Sequence, residues 1–223
     1  MATSAGQAKR NEVLDVATQL FAKKGYDGAS MQDVAERAGL GKASLFYHFA
    51  TKDLLYEAVL DRLVRSLAEP LAAIYASGGS FADRLDALTT TINAALGARP
   101  YAARLLLRET MNPVDGGSFA PRVLVVLEAG AAWVRAGQDA GAFCDGDTRH
   151  LVLSILGMHI LPFAIDSLVE GYIGADPFTP AFLVPRAAEL RRQARRLHLV
   201  PDASESARDA ASSPKRGARR ARR

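Results

Sequence analysis

The chain has 223 residues, 49% of them hydrophobic and 23% charged, which is enough apolar material to bury a core in one large or two small domains. Its single cysteine, Cys144, excludes an internal disulfide framework and a cysteine-rich metal site, fits a reducing cytoplasm, and is most simply a small buried hydrophobe. The net charge of +4 is unevenly placed: the last ten residues hold six cations and no acid, so the other 213 carry −2 and the folded body is not basic.

In chain order, Val13, Val16, Ala17, Leu20 and Phe21 recur at helical spacing, and Gly25 ends this first helix. Tyr26-Asp27-Gly28 turns the chain. Ser30, with Asp33 three residues on, fits the capping box that opens a second helix near Met31, and Gly39 supplies the positive φ that closes it after Ala38. Leu40 is the apolar plug between two crossing helices, and Lys42 to Phe49 form a third, very short helix with Leu45 and Phe49 facing inward. Thr51 caps a fourth that runs to about Ala76, with a kink expected near Pro70. Ser80 and Asp83 cap a fifth, whose Phe81, Leu85, Leu88, Ile92 and Ala95 line one face. Further helices are expected from Pro100 to Met111, from Pro121 to Ala140 with Gly141 closing it, and from Asp147 to about Glu170, with a loop at Asn112 to Ser118. Pro185 opens the last, in which Ala187, Leu190, Ala194 and Leu197 face inward opposite Arg191, Arg192, Arg195 and Arg196. From Pro201 the chain is rich in Ala, Ser, Asp and Arg without an apolar period, as a disordered basic tail is. Such a tail is either a solvated end or a nonspecific electrostatic arm.

The chemistry is concentrated between Ser30 and Lys52. With Leu45 and Phe49 inward, the short third helix turns Lys42, Ala43, Ser44, Phe46, Tyr47 and His48 outward. That mixture of cation, hydroxyl, small apolar and aromatic groups suits phosphates and base edges. Gly39-Leu40-Gly41-Lys42-Ala43-Ser44 imitates a glycine-rich phosphate loop. Such a loop follows a β-strand, however, and Gln32 to Ala38 is helical and charge-rich.

From Ala8 to Leu60 the chain resembles the DNA-binding region of the TetR/AcrR-type one-component repressors. The shared pattern is a hydroxyl cap, an alanine-glycine turn, a recognition helix ending in an aromatic triplet, and a hydroxyl-lysine-acid-x-leucine entry to the fourth helix. The resemblance implies that Ser30 and the backbone near it touch phosphate. It implies that Lys42, Ala43 and Ser44 approach the major groove, and that Phe46, Tyr47, His48 and Lys52 contact the strands. Two positions depart from the pattern. Gly41 stands where the family usually has a serine-like cap, and glycine caps only slightly less well. Phe46 replaces a tyrosine, which exchanges a hydroxyl contact for a ring that can meet a thymine methyl.

The fold implied is all-α: an N-terminal three-helix helix-turn-helix domain at residues 1–50, a helical effector-binding and dimerisation bundle at 51–200, and the tail at 201–223. Val123, Leu124, Leu127, Ala131 and Val134, with Leu151, Ile155 and Met158, give the two long helices faces broad enough to pair with their twofold copies, or to form an intramolecular core. Tyr101, Arg104, Arg108, Met111, Trp133, His159 and Phe163 are the groups expected around an effector. Arg104 and Arg108 would hold an anion there or pair with a nearby acid.

The function expected is that of a ligand-responsive, cytoplasmic repressor that binds a palindromic operator as a homodimer and is released by a small molecule. The alternative is an effector-independent architectural DNA-binding protein. An enzyme is not expected, because there is no GxSxG elbow, no HExxH, and four scattered histidines without metal-ligand spacing. No cofactor or metal is expected. No membrane span is expected either, since no charged-then-apolar leader opens the chain and Leu151 to Ile165 is interrupted by Ser154, His159 and Pro162.

Overall fold

The computed structural model describes residues 4–111, 113–114 and 119–200; the tail expected at 201–223 and most of the 112–118 loop lie outside them. Among the described residues ten helices follow one another: α1 Ser4–Gly28, α2 Met31–Arg37, α3 Lys42–His48, α4 Lys52–Ala76, α5 Phe81–Gly97, α6 Ala102–Met111, α7 Phe119–Asp139, α8 Thr148–Ala164, α9 Asp166–Ile173 and α10 Pro180–His198. Among the described residues the only extended pairing is an isolated antiparallel bridge between Phe143 and Leu199.

The local signals in the N-terminal quarter act as their chemistry requires. Gly25 adopts φ 78°, which breaks α1 from the turn carrying Tyr26. Ser30 Oγ accepts from the Asp33 amide at 3.0 Å, and the Asp33 carboxylate accepts from the Ser30 amide at 2.9 Å, which completes the capping box of α2. Gly39 takes φ 63°, and Thr51 Oγ1 caps α4 through the Leu54 amide at 3.2 Å. The core of this region does not part at residue 50. Leu14, Phe21, Val34, Leu45 and Phe49 share one buried cluster with Leu55, Val59 and Leu63 of α4 and with Leu105 and Leu106 of α6.

Four expectations are corrected in the second half. The helix expected from Asp147 to Glu170 is two helices, which meet at 84°. Pro162 has no N–H for the Met158 carbonyl, and Arg186 Nη2 of α10 donates to that oxygen instead, at 2.6 Å. The last helix opens at Pro180 after Thr179 rather than at Pro185, which lies inside it. Proline at the first position of a helix loses only an N–H that has no partner there. In the same helix His198, not Leu197, is the inward residue, because Leu190 and Ala194 set the buried stripe and four residues further brings His198 onto it. The sixth helix begins at Ala102 rather than Pro100, following Tyr101 at φ 77°.

The faces expected to pair between copies are largely spent within the chain. Ala131, Val134 and Ile155 are buried, and Val123, Leu127, Leu151 and Met158 are half-buried. The exposed apolar stripe is a neighbouring one: Leu124, Val125, Ala129 and Ala132 on α7, and Leu153, Gly157 and Leu161 on α8. Among the described residues no single helix is long and apolar enough to cross a membrane.

Candidate nucleic-acid interface

The capping box holds α2 at a fixed angle, and the Gly39–Gly41 turn delivers α3 across it with Leu45 and Phe49 buried. Every other side chain from Lys42 to Tyr47 is left outward. Tyr47 is 87% exposed and Phe46 38%, while Lys42, Ala43 and Ser44 form an open edge at the start of the helix. Lys42 Nζ lies 6.0 Å from the Phe46 ring one turn away, and the Tyr47 and His48 rings meet edge to face at 5.5 Å. Gly41 caps α3 without a side-chain hydrogen bond, so the first amides of the helix keep their donors.

The groups around this helix are more committed than their residue types suggest. Ser30 Oγ donates to Asp33 at 2.7 Å as well as accepting from its amide, so both functions of the hydroxyl are engaged inside the cap. Those hydrogen bonds, with the Lys24 ammonium 3.0 Å away, hold the Asp33 carboxyl down at about 2. Lys52 is half-buried with its ammonium 4.1 Å over the Tyr26 ring, and the Tyr26 hydroxyl bonds the Asp53 carboxylate. Arg10 lies 4.7 Å over Phe49, and Lys9 donates to the Ala38 carbonyl at 2.9 Å, so α1 braces both helices of the motif.

Behind the motif an aromatic cluster leads to the second half of the chain. Tyr56 packs edge-on against Phe21 at 4.8 Å and against Tyr26 at 5.0 Å. Its hydroxyl donates to Glu109 of α6 at 2.6 Å, and the other Glu109 oxygen accepts from the Val114 amide at 3.1 Å. Glu109 is only 2% exposed, so this carboxylate depends on those two donors. Burial, followed by the hydrogen bond and charge of Glu109, pushes the Tyr56 hydroxyl well above the usual phenol range. Beside it Arg108 Nη1 donates to the Phe21 carbonyl at 3.3 Å and sits against Gly25. Neither Tyr56 nor Glu109 stands out in the sequence; the one signal was an acid in the otherwise apolar face of LLLRETM.

The residues expected around an effector are not brought together. Arg104 pairs with Asp166 at 2.5 Å, Arg108 serves α1, and Met111 is exposed. Tyr101 lies under the Lys23 ammonium, 5.0 Å from its ring centre. Trp133 is stacked at 5.3 Å on Tyr75 and meets Phe143 at 4.9 Å, whereas Phe163 packs with Phe178 and Phe182 in a separate cluster. His159 is fully buried, with Nδ1 2.7 Å from the Ile155 carbonyl, and burial lowers it below the ordinary imidazole range. Among the described residues no group of three or more His, Cys, Asp or Glu is placed to hold a metal ion.

A short, outward third helix braced on a three-helix head and tied through α4 and α6 to a larger helical body defines a helix-turn-helix head on an all-helical body. Residues 13–59 match the family model of the bacterial regulatory proteins of the tetR family. The chain is 32% identical over 117 residues to the HTH-type transcriptional repressor KstR2 of Rhodococcus jostii (strain RHA1), a match that covers 52% of this chain and 57% of the relative. The chain thus matches little more than half the length of that relative. Its fold is that of the ketosteroid transcriptional regulator KstR2 of Mycobacterium tuberculosis (TM-score 0.68, 18% identity, 86% of this chain and 95% of that one). It is also that of AibR, solved in complex with isovaleryl coenzyme A and operator DNA (TM-score 0.65, 18% identity, 85% and 97%). The likeness to tetR-family regulators is thus carried in sequence by residues 13–59 and extends over the rest of the described chain as a likeness of fold.

Proposed function

We propose that this protein is a cytoplasmic, homodimeric repressor that binds a palindromic operator and is released from it by a small-molecule effector. The observation that carries this reading is the outward edge of α3, on a head joined by a shared core and by the buried Tyr56–Glu109 hydrogen bond to the body in which an effector would sit. Lys42, Ala43 and Ser44, preceded by Gly41, read base edges in the major groove. Phe46, Tyr47, His48 and Lys52 lie along the strands, and Ser30 sets the end of α2 against a phosphate. The exposed stripe of α7 and α8 supports pairing with a second copy, in which small Ala129, Ala132 and Gly157 let helices approach closely.

The mechanism follows from spacing. Two recognition helices read one palindrome only if the dimer holds them one or more turns of DNA apart, about 34 Å per turn. An effector that prefers a splayed dimer moves α6. Glu109 and Arg108 then carry that shift into Tyr56 and Phe21 and so into the head. Converting a bound population into a free one takes about 5 kcal/mol of differential affinity.

Selection of binding sites from random DNA with the full chain tests the reading. The expected result is a palindrome bound by two copies, with α3 substitutions altering the sequence selected. Binding without sequence preference, or by a single copy to a single half-site, refutes it.

A further inference from the structure

The positive charge of the chain is gathered at its C-terminal end: residues 180–223 hold twelve cations and four acids, so the rest of the chain is net negative. The described part of this charge is on α10. Residues 191–200 hold four arginines, Arg191, Arg192, Arg195 and Arg196, and no acid. At 3.6 residues per turn the four fall within an arc of about 140°, on the side of α10 away from its buried stripe of Leu190, Ala194 and His198. All four are exposed. Arg195 is fixed to Asp86 of α5 by two hydrogen bonds, at 2.9 and 3.0 Å, and Arg192 pairs with Glu189. Among the described residues neither Arg191 nor Arg196 has a carboxylate within ion-pair distance.

Folding alone does not account for this arrangement. Arg191 and Arg195, like Arg192 and Arg196, are four apart, and like charges at that spacing on a helix oppose its formation. Cations at a helix C-terminus offset the helix dipole, but that effect is confined to the last turn, and Arg191 and Arg192 stand before it. A polyanion is what relieves such a face. Guanidinium groups hold phosphate by paired hydrogen bonds, and their charge displaces the counterions of a duplex. The face offers no side chain to read a base edge, since Gln193, the one amide on this stretch, is half-buried and bonded to Glu189 at 2.7 Å. Contact therefore stops at the phosphate backbone and carries no sequence preference.

The place of this face in the fold separates it from the α3 surface. α4 leaves the head at Lys52 and runs 25 residues, about 37 Å at 1.5 Å per residue. Ala194 packs in the cluster of Leu71, near the far end of α4, with Leu85 and Leu88 of α5. Leu45 of α3 belongs to the other cluster, with Leu55 and Val59. The four arginines thus lie at the end of the body away from α3. The chain continues from the same place, since the Val200 amide is held on the Ala142 carbonyl at 3.1 Å, and residues 201–223 add seven cations against three acids. We propose that the arginine face of α10, with the basic segment that follows it, is a second, sequence-independent DNA-binding surface, on which the protein holds another duplex while α3 holds the operator. The bridging of two duplexes, though not the surface itself, rests on the reading given under Proposed function.

To test this, operator DNA is fixed to beads and saturated with the full chain, and a labelled duplex lacking the palindrome is added. With the α3 surfaces occupied, the unaltered protein should capture that duplex, less so as salt rises. Arg191→Gln with Arg196→Gln should weaken capture about tenfold at low salt and lower the slope of log affinity against log salt by about two units, because each phosphate contact contributes about 0.9. Arg219→Gln, Arg220→Gln, Arg222→Gln and Arg223→Gln together should lower capture further. Operator affinity, dimer mass and Tm should be unchanged in both variants. No capture by the operator-bound protein, or capture that survives both sets of substitutions, overturns the proposal. So does a fall in Tm or in dimer mass, which would give these arginines to the fold or to the pairing of copies. Polyglutamate or phosphatidylserine vesicles that displace the labelled duplex better than unlabelled duplex does would reassign the face to an acidic protein or a lipid surface and overturn the DNA assignment. If site selection finds no operator, the same variants are compared in free solution on random DNA. A reduced salt slope there upholds the surface while the operator reading fails alone, and an unchanged slope refutes the surface.

Discussion

The head and the body satisfy their polar groups differently. In the head, the helix caps beside the third helix are closed by near neighbours, Ser30 with Asp33 and Thr51 with the Leu54 amide. In the body, local caps at Ser80 and Asp147 are joined by contacts between residues far apart in the chain and by buried polar atoms with no partner. Tyr56 and Glu109 are 53 residues apart, and Thr89, Trp133, His159 and His198 each leave a buried polar atom unpaired. A head capped and braced in this way holds α3 as one rigid surface. A body with unmet hydrogen-bonding capacity has states that a ligand can favour, because a ligand shifts an equilibrium only through interactions it makes differently in two states.

The largest effect that would break this comparison concerns the shared core. Leu105 of α6 is fully buried in the cluster that also holds Phe21 and Leu45. Leu105→Ala should cost about 2–5 kcal/mol and lower the stability of head and body together. Urea unfolding followed by the Trp133 fluorescence of the body and by hydrogen exchange of α2 and α3 should show coincident transitions. Separate midpoints would mean that the head folds independently of α6.

Next in size is the link itself. Tyr56→Phe removes one of the two donors to a buried carboxylate and should destabilise the protein by about 1–3 kcal/mol. Operator affinity and its response to effector should change although residue 56 lies away from the α3 surface. Operator binding and release identical to the unaltered chain would confine Tyr56 to a structural role.

Substitutions on the proposed DNA face sharpen the comparison from the other side. Ser44→Ala or Lys42→Ala should alter preference at one operator position per half-site by about 1–3 kcal/mol. Lys52→Ala should weaken all sequences alike and lower the salt slope by about one unit. A binding-site array separates the two patterns, and a base-selective loss for Lys52→Ala would contradict its assignment to phosphate.

The smallest effect is a titration. Asp33 has a folded-state pKa of about 2, below that of an unstructured aspartate. Its contribution to stability is therefore complete at neutral pH, declines as the pH falls through the ordinary aspartate range, and is gone below about 2. In Ser30→Ala the Asp33 pKa should rise toward the ordinary aspartate value, read by NMR titration of the carboxyl carbon. An unchanged value would assign the depression to Lys24 instead.

The sequence by itself determined the all-α character, the helix-turn-helix and the inward pair Leu45 and Phe49. Caps, positive-φ glycines and helical periodicity act over three to eight residues, and the residues that carry them are neighbours in the chain. Tertiary structure decided what depends on which helices meet. Arg186, 28 residues from Met158, takes the carbonyl that Pro162 frees, and His198 displaces Leu197 from the core because Leu190 and Ala194 set the buried stripe. It dispersed the expected effector group, since Arg104 found Asp166 and Arg108 found the Phe21 carbonyl. A periodic pattern records that a face is apolar; which partner covers it, and which polar atom is left without one, is settled only when the helices pack.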